Sequence, residues 1–237
     1  MRDWAREWLD GFEGAQHEQS VFDRLSAVSR DLGFDYCAYG MRMSLPLSRP
    51  KTVMRNDYPV AWQARYAEAD YLRQDPTVAH GLHRLSPVVW SDVLFAGAPA
   101  LWDEARSFGL RVGWAQSSLD SRAMRGMLTL ARSTGELTAA ELDANEIKMR
   151  WLANIAHQAF SRVLTADLPE PPSQTLTERE IEILKWSADG KTSDEISTIL
   201  IISVNTVNFH VKNALTKLSV PNKTAAVVRA AMLGLLS

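Results

Sequence analysis

Three of the four residues at 169–172 are proline, and this cluster divides the chain. Proline fixes its own φ and has no N–H to donate, so Pro169-Glu170-Pro171-Pro172 cannot continue a helix. The stretch 166–175 reads as a linker of extended backbone. A body of 1–165 lies before it and a smaller domain of 176–237 after it, each long enough to bury its own core.

The smaller domain reads as four helices. Thr177-Glu178-Arg179-Glu180 and Thr192-Ser193-Asp194-Glu195 both have capping-box spacing. The first helix buries Ile181 and Leu184 and stops at Gly190; the second buries Ile196, Ile199 and Leu200. Ser203 can cap a third helix running to about Leu218, and Asn222 a fourth ending at Gly234. On the third helix Val207, Val211, Ala214, Leu215 and Leu218 share one face. Asn205, Asn208, Phe209, Lys212 and Thr216 take the opposite face. Two capped helices, a tight turn at Ile201-Ile202 and a helix with such a polar stripe form a helix-turn-helix pattern. Asn can bond adenine N6 and N7, Lys can reach guanine O6 and N7, and an outward Phe can pack on a thymine methyl group. The plainer reading of a polar stripe alone is a solvated face.

Charge supports the sharper reading. The chain carries a formal charge of -2, which hides a local asymmetry. From Leu176 onward there are seven cations and six anions, and every anion precedes Ile196. The final stretch therefore holds Lys212, Lys217, Lys223 and Arg229 and no acid, as a DNA-facing surface requires.

These residues resemble the LuxR-type helix-turn-helix over the whole of 176–237. The resemblance is carried by Leu176 to Leu184, Gly190-Lys191-Thr192, Glu195-Ile196, Ser203, Thr206-Val207, His210-Val211, Lys217-Leu218 and Asn222-Lys223. It implies that Asn208, Phe209 and Lys212 face bases in the major groove, with Ser203 and Asn205 at the helix start. It implies phosphate contacts for Lys191, Thr192, Thr206, Lys217 and Lys223. Many members carry a small residue where this chain has Ile201, and Glu or Pro where it has Asn205.

The body mixes element types. Gln19–Leu32, Pro59–Glu68, Thr77–Leu85, Trp102–Phe108 and a long segment from Thr138 to Leu164 read as helices. Phe34–Met43, Arg111–Ser117 and Gly126–Arg132 read as strands. The expected class is α+β, an α/β/α sandwich around a central antiparallel sheet followed by the all-α four-helix domain. The long helix at 138–164 fits either a dimer interface or a cover for the sheet. Aromatic residues crowd one region: Tyr58, Trp62, Tyr66, Tyr71, Trp90, Trp102, Phe108 and Trp114. Any one of them taken singly is most simply core. Asp75, between Gln74 and Pro76, also fits an ordinary helix cap.

A second resemblance covers nearly all of 20–164. Tyr58-Pro59, Trp62 with Tyr66, Asp75-Pro76, Val89-Trp90, Phe34-Asp35-Tyr36, Trp102 with Ala105-Arg106 and Gly109-Leu110 resemble the ligand-binding domain of acyl-homoserine-lactone receptors. It implies an N-acyl-homoserine lactone as ligand, with no cofactor. Trp62 would donate to the lactone carbonyl, Asp75 accept from the amide N–H, and Tyr58 with Thr129 donate to the amide carbonyl. Trp90 would cover the ring and Tyr66 the tail, with Thr77, Trp102 and Phe108 completing the site. An empty pocket is expected to leave Asp75 poorly satisfied.

The expected function is a quorum-sensing transcription regulator, not an enzyme. Its expected partners are promoter DNA, the lactone, a second copy of the chain and RNA polymerase. Two other readings fit some features: a ligand-independent or partner-sensing body, and a lactone hydrolase. The latter needs a positioned nucleophile or metal cluster, and His80 with His83 lacks a third ligand. A single cysteine, no apolar signal core and no run of about 18 apolar residues point to a cytoplasmic protein without membrane contact.

Overall fold

The computed structural model describes residues 2–43, 51–120, 124–166 and 175–236. The proline cluster of the expected linker lies outside them. The chain forms two compact units on either side of it.

The N-terminal unit is built on a five-stranded antiparallel sheet. Its strands are β1 (Tyr36–Met43), β2 (Lys51–Asn56), β3 (Val88–Val89), β4 (Val112–Leu119) and β5 (Arg125–Arg132), in the order β2-β1-β5-β4-β3. Alternation along each strand sends successive side chains to opposite faces. Cys37, Tyr39 and Met41 of β1, Leu128 and Leu130 of β5 and Trp114 of β4 enter one core. Helices α1 (Asp3–Glu13), α2 (Glu18–Asp31) and α6 (Ala139–Leu164) cover it with Phe12, Leu25, Leu152 and Phe160. The other face carries α3 (Val60–Glu68), a 3-10 turn (Tyr71–Arg73), α4 (Pro76–His83) and α5 (Pro99–Ser107). There a second cluster gathers Trp62, Tyr71, Phe95, Leu101, Trp102 and Leu110. The three expected layers are present. The helix α1 and the strands β2 and β3 add to the expected elements.

The C-terminal unit consists of α7 (Glu178–Ala188), α8 (Ser193–Leu200), α9 (Val204–Leu218) and α10 (Lys223–Met232). Thr177, Thr192, Ser203 and Asn222 each accept a backbone N–H from the helix they begin. Thr177 and Thr192 complete capping boxes with Glu180 and Glu195. Ile183, Ile196 and Val207 fill one small core; Leu184, Ala214, Leu218 and Ala226 fill another. The apolar end of the chain packs against this core through Leu233, Leu235 and Leu236. Among the described residues no helix is long and apolar enough to cross a membrane.

Candidate ligand pocket and nucleic-acid interface

Between the sheet and the helices α3, α4 and α5 lies a cavity of about 750 Å3. That volume suits a small organic ligand. Tyr58, Trp62, Tyr66, Asp75, Thr77, Trp90 and Thr129 all line it. Trp102 and Phe108, expected in the same set, are set back behind its wall. The Trp102 indole N–H donates to Asp92 Oδ1 at 2.6 Å, and its ring stacks on Phe95 at 4.6 Å. Phe108 packs against Trp62 at 5.6 Å. Both shape the aromatic wall through the residues that touch the cavity.

Asp75 sits on the cavity wall as the N-cap of α4. Pro76 occupies the first turn, where its missing N–H costs nothing. The Thr77 backbone N–H donates to Asp75 Oδ1 at 2.8 Å and the Tyr66 hydroxyl to Oδ2 at 2.9 Å. The carboxylate is therefore satisfied without ligand, contrary to the expectation from sequence. Burial pushes its pKa up, against the opposing pull of the Thr77 and Tyr66 hydrogen bonds. Burial also raises the Tyr66 and Tyr58 hydroxyls, so both remain protonated donors. Unmet hydrogen-bonding capacity lies instead at Trp90 Nε1 and Ser117 Oγ, buried at the same cavity with no partner among the described residues.

The sheet forms the floor. Trp90 lies against Gly113, where any Cβ would collide with the indole ring. Sequence reasoning missed Ala38, Gly40, Met54, Ser117, Arg125 and Met127 as lining residues. Their common signal is strand alternation: all occupy the face of the sheet opposite the Leu128–Leu130 core. Among the described residues no cluster of three potential metal ligands exists, at His80 and His83 or elsewhere.

In the C-terminal unit α9 presents the expected stripe. Asn205, Asn208, Lys212 and Thr216 are exposed, and Phe209 retains 60% of its accessible surface. Val207, Ala214 and Leu218 are fully buried opposite them. The Ser193 hydroxyl donates to Asn208 Oδ1 at 2.9 Å, tying the start of α8 to this stripe. Thr192 and Ser203 act as caps, and the Thr206 hydroxyl bonds Ser203 at 2.8 Å. Lys191 pairs loosely with Glu195 at 3.6 Å, and Lys223 donates to the Lys191 carbonyl at 3.1 Å.

Lys217 departs from its expected phosphate role. Its ammonium donates to Glu180 at 2.8 Å and to the Thr175 carbonyl at 3.2 Å. Glu180 is almost fully buried. Burial alone would raise its pKa; the Lys217 ammonium and the Thr177 N–H outweigh that and hold it below the ordinary range. The sequence pattern showed Glu180 as half of a capping box but gave no sign of its non-local partner.

The turn before α9 carries backbone strain. Ile201 caps α8 at φ 54° and ψ 48°, the left-handed region, with 91% of its surface exposed. A β-branched side chain there crowds its own backbone, and a small residue is the relaxed choice. The departure noted from sequence at this position is thus a strained one.

Comparison with known proteins agrees with both halves. Residues 17–160 match the autoinducer binding domain family, and residues 174–230 match the luxR family of bacterial regulatory proteins. The chain is 45% identical to the transcriptional activator protein AnoR of Acinetobacter nosocomialis, with 100% of both chains covered. It is 40% identical to the quorum-sensing regulator RhlR of Pseudomonas aeruginosa, over 97% of this chain and 96% of that one. The solved structure of SdiA in complex with octanoyl-rac-glycerol superposes with a TM-score of 0.74 at 34% identity, covering 100% of this chain and 98% of that one. These relatives are regulators, and the hydrolase reading gains no support from them. With an autoinducer-binding domain joined to a helix-turn-helix unit, this chain belongs to the luxR family of bacterial regulatory proteins.

Proposed function

We propose that the N-terminal unit binds an N-acyl-homoserine lactone and that the chain, as a homodimer, carries this signal to promoter DNA and RNA polymerase. The observation that carries the reading is Asp75. It is a carboxylate fixed on a cavity wall by donors on both oxygens, with lone pairs left to accept an amide N–H. Around it stand groups matched to the rest of such a ligand. Tyr58 and Thr129 offer hydroxyls to the amide carbonyl, Trp62 an indole N–H to the lactone carbonyl, and Trp90 a ring face to the lactone. Asn208, Phe209 and Lys212 would read base edges, while Lys191, Thr192, Thr206 and Lys223 would hold phosphates. One recognition helix reads a half-site, so a two-fold operator calls for two copies.

Ligand that binds only the folded state raises the melting temperature by mass action. Thermal unfolding of the full chain with saturating lactone is therefore expected to show a stabilised N-terminal transition. An unchanged transition would refute the ligand assignment.

A further inference from the structure

The floor of the cavity has a graded chemistry that the head-group contacts leave unused. Strand register places three rungs of residues across β2, β1 and β5. Asn56, Ala38 and Thr129 form the first, beside Tyr58 and Asp75. Met54, Gly40 and Met127 form the second, and Thr52, Arg42 and Arg125 the third. Thr129 and Arg125 lie four positions apart, about 13 Å along the strand. The surface thus runs from neutral hydrogen-bonding groups through a thioether-lined stretch to two arginines directly opposite each other.

Like charges in direct cross-strand register repel. A carboxylate neighbour would explain the pair, yet no ion pair involves Arg42 or Arg125 among the described residues. Arg125 donates to the Gly81 carbonyl at 3.1 Å, which uses one of its five N–H groups. Asp70, the other acid on the cavity, is paired with Arg73 at 3.0 Å. Asp120 accepts from Ser161 and the Met124 N–H. The connecting segments 44–50 and 121–123 contain no Asp or Glu in their sequence. Arg42 is exposed, so this end of the cavity meets solvent.

We infer that Arg42 and Arg125 form a guanidinium subsite at the far end of the acyl channel, which takes a hydrogen-bond-accepting, preferably anionic, terminus on the bound chain. This rests on the lactone reading above, which places the amide beside Asp75. A tail that starts there and crosses Met54 and Met127 ends at the arginine rung. A terminal methyl there offers nothing to two guanidiniums and displaces their water. A carboxylate accepts their N–H groups in paired, charge-assisted bonds and relieves their repulsion.

The test is titration calorimetry on the full chain with three ligands. These are N-decanoyl-homoserine lactone, its analogue with a carboxyl group in place of the terminal methyl, and N-butanoyl-homoserine lactone, whose tail stops short of the third rung. The carboxyl analogue is expected to bind about tenfold more tightly than the methyl form, an advantage that shrinks as salt rises. Arg125→Met should abolish the preference and Arg42→Met weaken it, with butanoyl binding unchanged within about twofold. Arg42 is exposed and its side chain has no hydrogen bond among the described residues, so its variant keeps the test open if Arg125→Met fails to fold. Equal or weaker binding of the carboxyl form by the wild type overturns the subsite, as does a preference that survives both substitutions. If butanoyl lactone binds while that discrimination is absent, the subsite alone fails. If no lactone binds, the head-group reading falls and the subsite with it.

Discussion

Asp75 and Glu180 are both carboxylates in the first turn or cap of a helix, and the two units treat them oppositely. Glu180 is paired with Lys217 and held below the ordinary range, whereas Asp75 is desolvated beside a cavity and pushed above it. The contrast extends to the units themselves. Buried side-chain polar atoms without a partner, Trp90 Nε1 and Ser117 Oγ among them, all lie in the N-terminal unit among the described residues. The C-terminal unit has none there, and its four helix starts are capped by its own side chains. One unit satisfies its own chemistry. The other leaves part of its unmet hydrogen-bonding capacity, at Thr77, Trp90 and Ser117, around a space, which is what a receptor that gains stability from its ligand requires.

The sharpest way to break this contrast is to make the C-terminal unit incomplete. Lys217→Met keeps the aliphatic stem but leaves Glu180 buried and unpaired. That should cost about 3 kcal/mol, at the low end for a broken buried pair because the Thr177 N–H remains. Denaturant unfolding should show the loss with or without lactone. The pH dependence has a definite sign. A lowered folded pKa gives stability that is complete above the ordinary Glu value of about 4.3 and is lost as pH falls through the lowered value. In Lys217→Met protonation relieves the unpaired charge, so the deficit should shrink in acid. Asp75, with a raised pKa, makes the empty N-terminal unit gain stability as pH falls through that raised value. If both units lose stability in parallel through the acid range, the contrast is wrong.

Asp75→Asn probes the other side. Asparagine caps a helix nearly as well as aspartate, so the fold should persist. An NH2 group then replaces one acceptor oxygen, and the ligand amide loses a charged partner worth about 1.5–3 kcal/mol. Lactone affinity should fall roughly 10- to 150-fold by calorimetry, with the C-terminal transition unmoved. A change below about threefold would remove Asp75 from the ligand contacts.

How much of this could be read from sequence follows the same division. Caps at Thr177, Thr192, Ser203 and Asn222, and the buried face of Val207, Ala214 and Leu218, are local patterns. They stand in the structure where the periodicity puts them. Pairings distant in sequence were illegible. Lys217 reaches Glu180 across 37 residues, a partner that the resemblance, which implied a phosphate contact, gave no sign of. Trp102 and Phe108 belong to the aromatic cluster, but composition does not say which ring faces the cavity and which stands behind it. Ser117 read as a strand end and proves to be a buried lining residue with no partner among the described residues. The basic rung depends on the register of β1 against β5, which no local signal in either strand specifies.

The reading stripe gives the next prediction. Lys212 is exposed on α9 and takes part in no ion pair among the described residues, so it is available to DNA. Lys212→Ala should weaken operator binding by about 1–3 kcal/mol and relax preference at one base position. Lactone binding should not change. Fluorescence anisotropy on operator variants checks both. A loss that is uniform over all sequences, with a salt slope reduced by about one, would move Lys212 from bases to phosphate.

Ile201 supplies the smallest expected effect and the finest test of the claim that the C-terminal unit is self-satisfied. Two of its described non-glycine residues are left-handed, Ser219 at φ 53° and Ile201 at φ 54°, and only Ile201 is β-branched. Ile201→Gly removes the clash between Cβ and backbone but loosens the unfolded chain, so the two terms partly cancel. A left-handed non-glycine residue costs about 1–2 kcal/mol, which leaves a net gain of about 0.5–1 kcal/mol. Because the side chain is 91% exposed, little packing is lost. Denaturant midpoints of wild type and variant measure the difference. A gain in stability that leaves operator affinity intact marks the strain as incidental to binding. A gain accompanied by weaker binding means that the turn holds α9 against α8 in the geometry DNA selects. A loss of stability would show that Ile201 makes an apolar contact its exposure conceals, and the unit would then be less complete than its hydrogen bonds suggest.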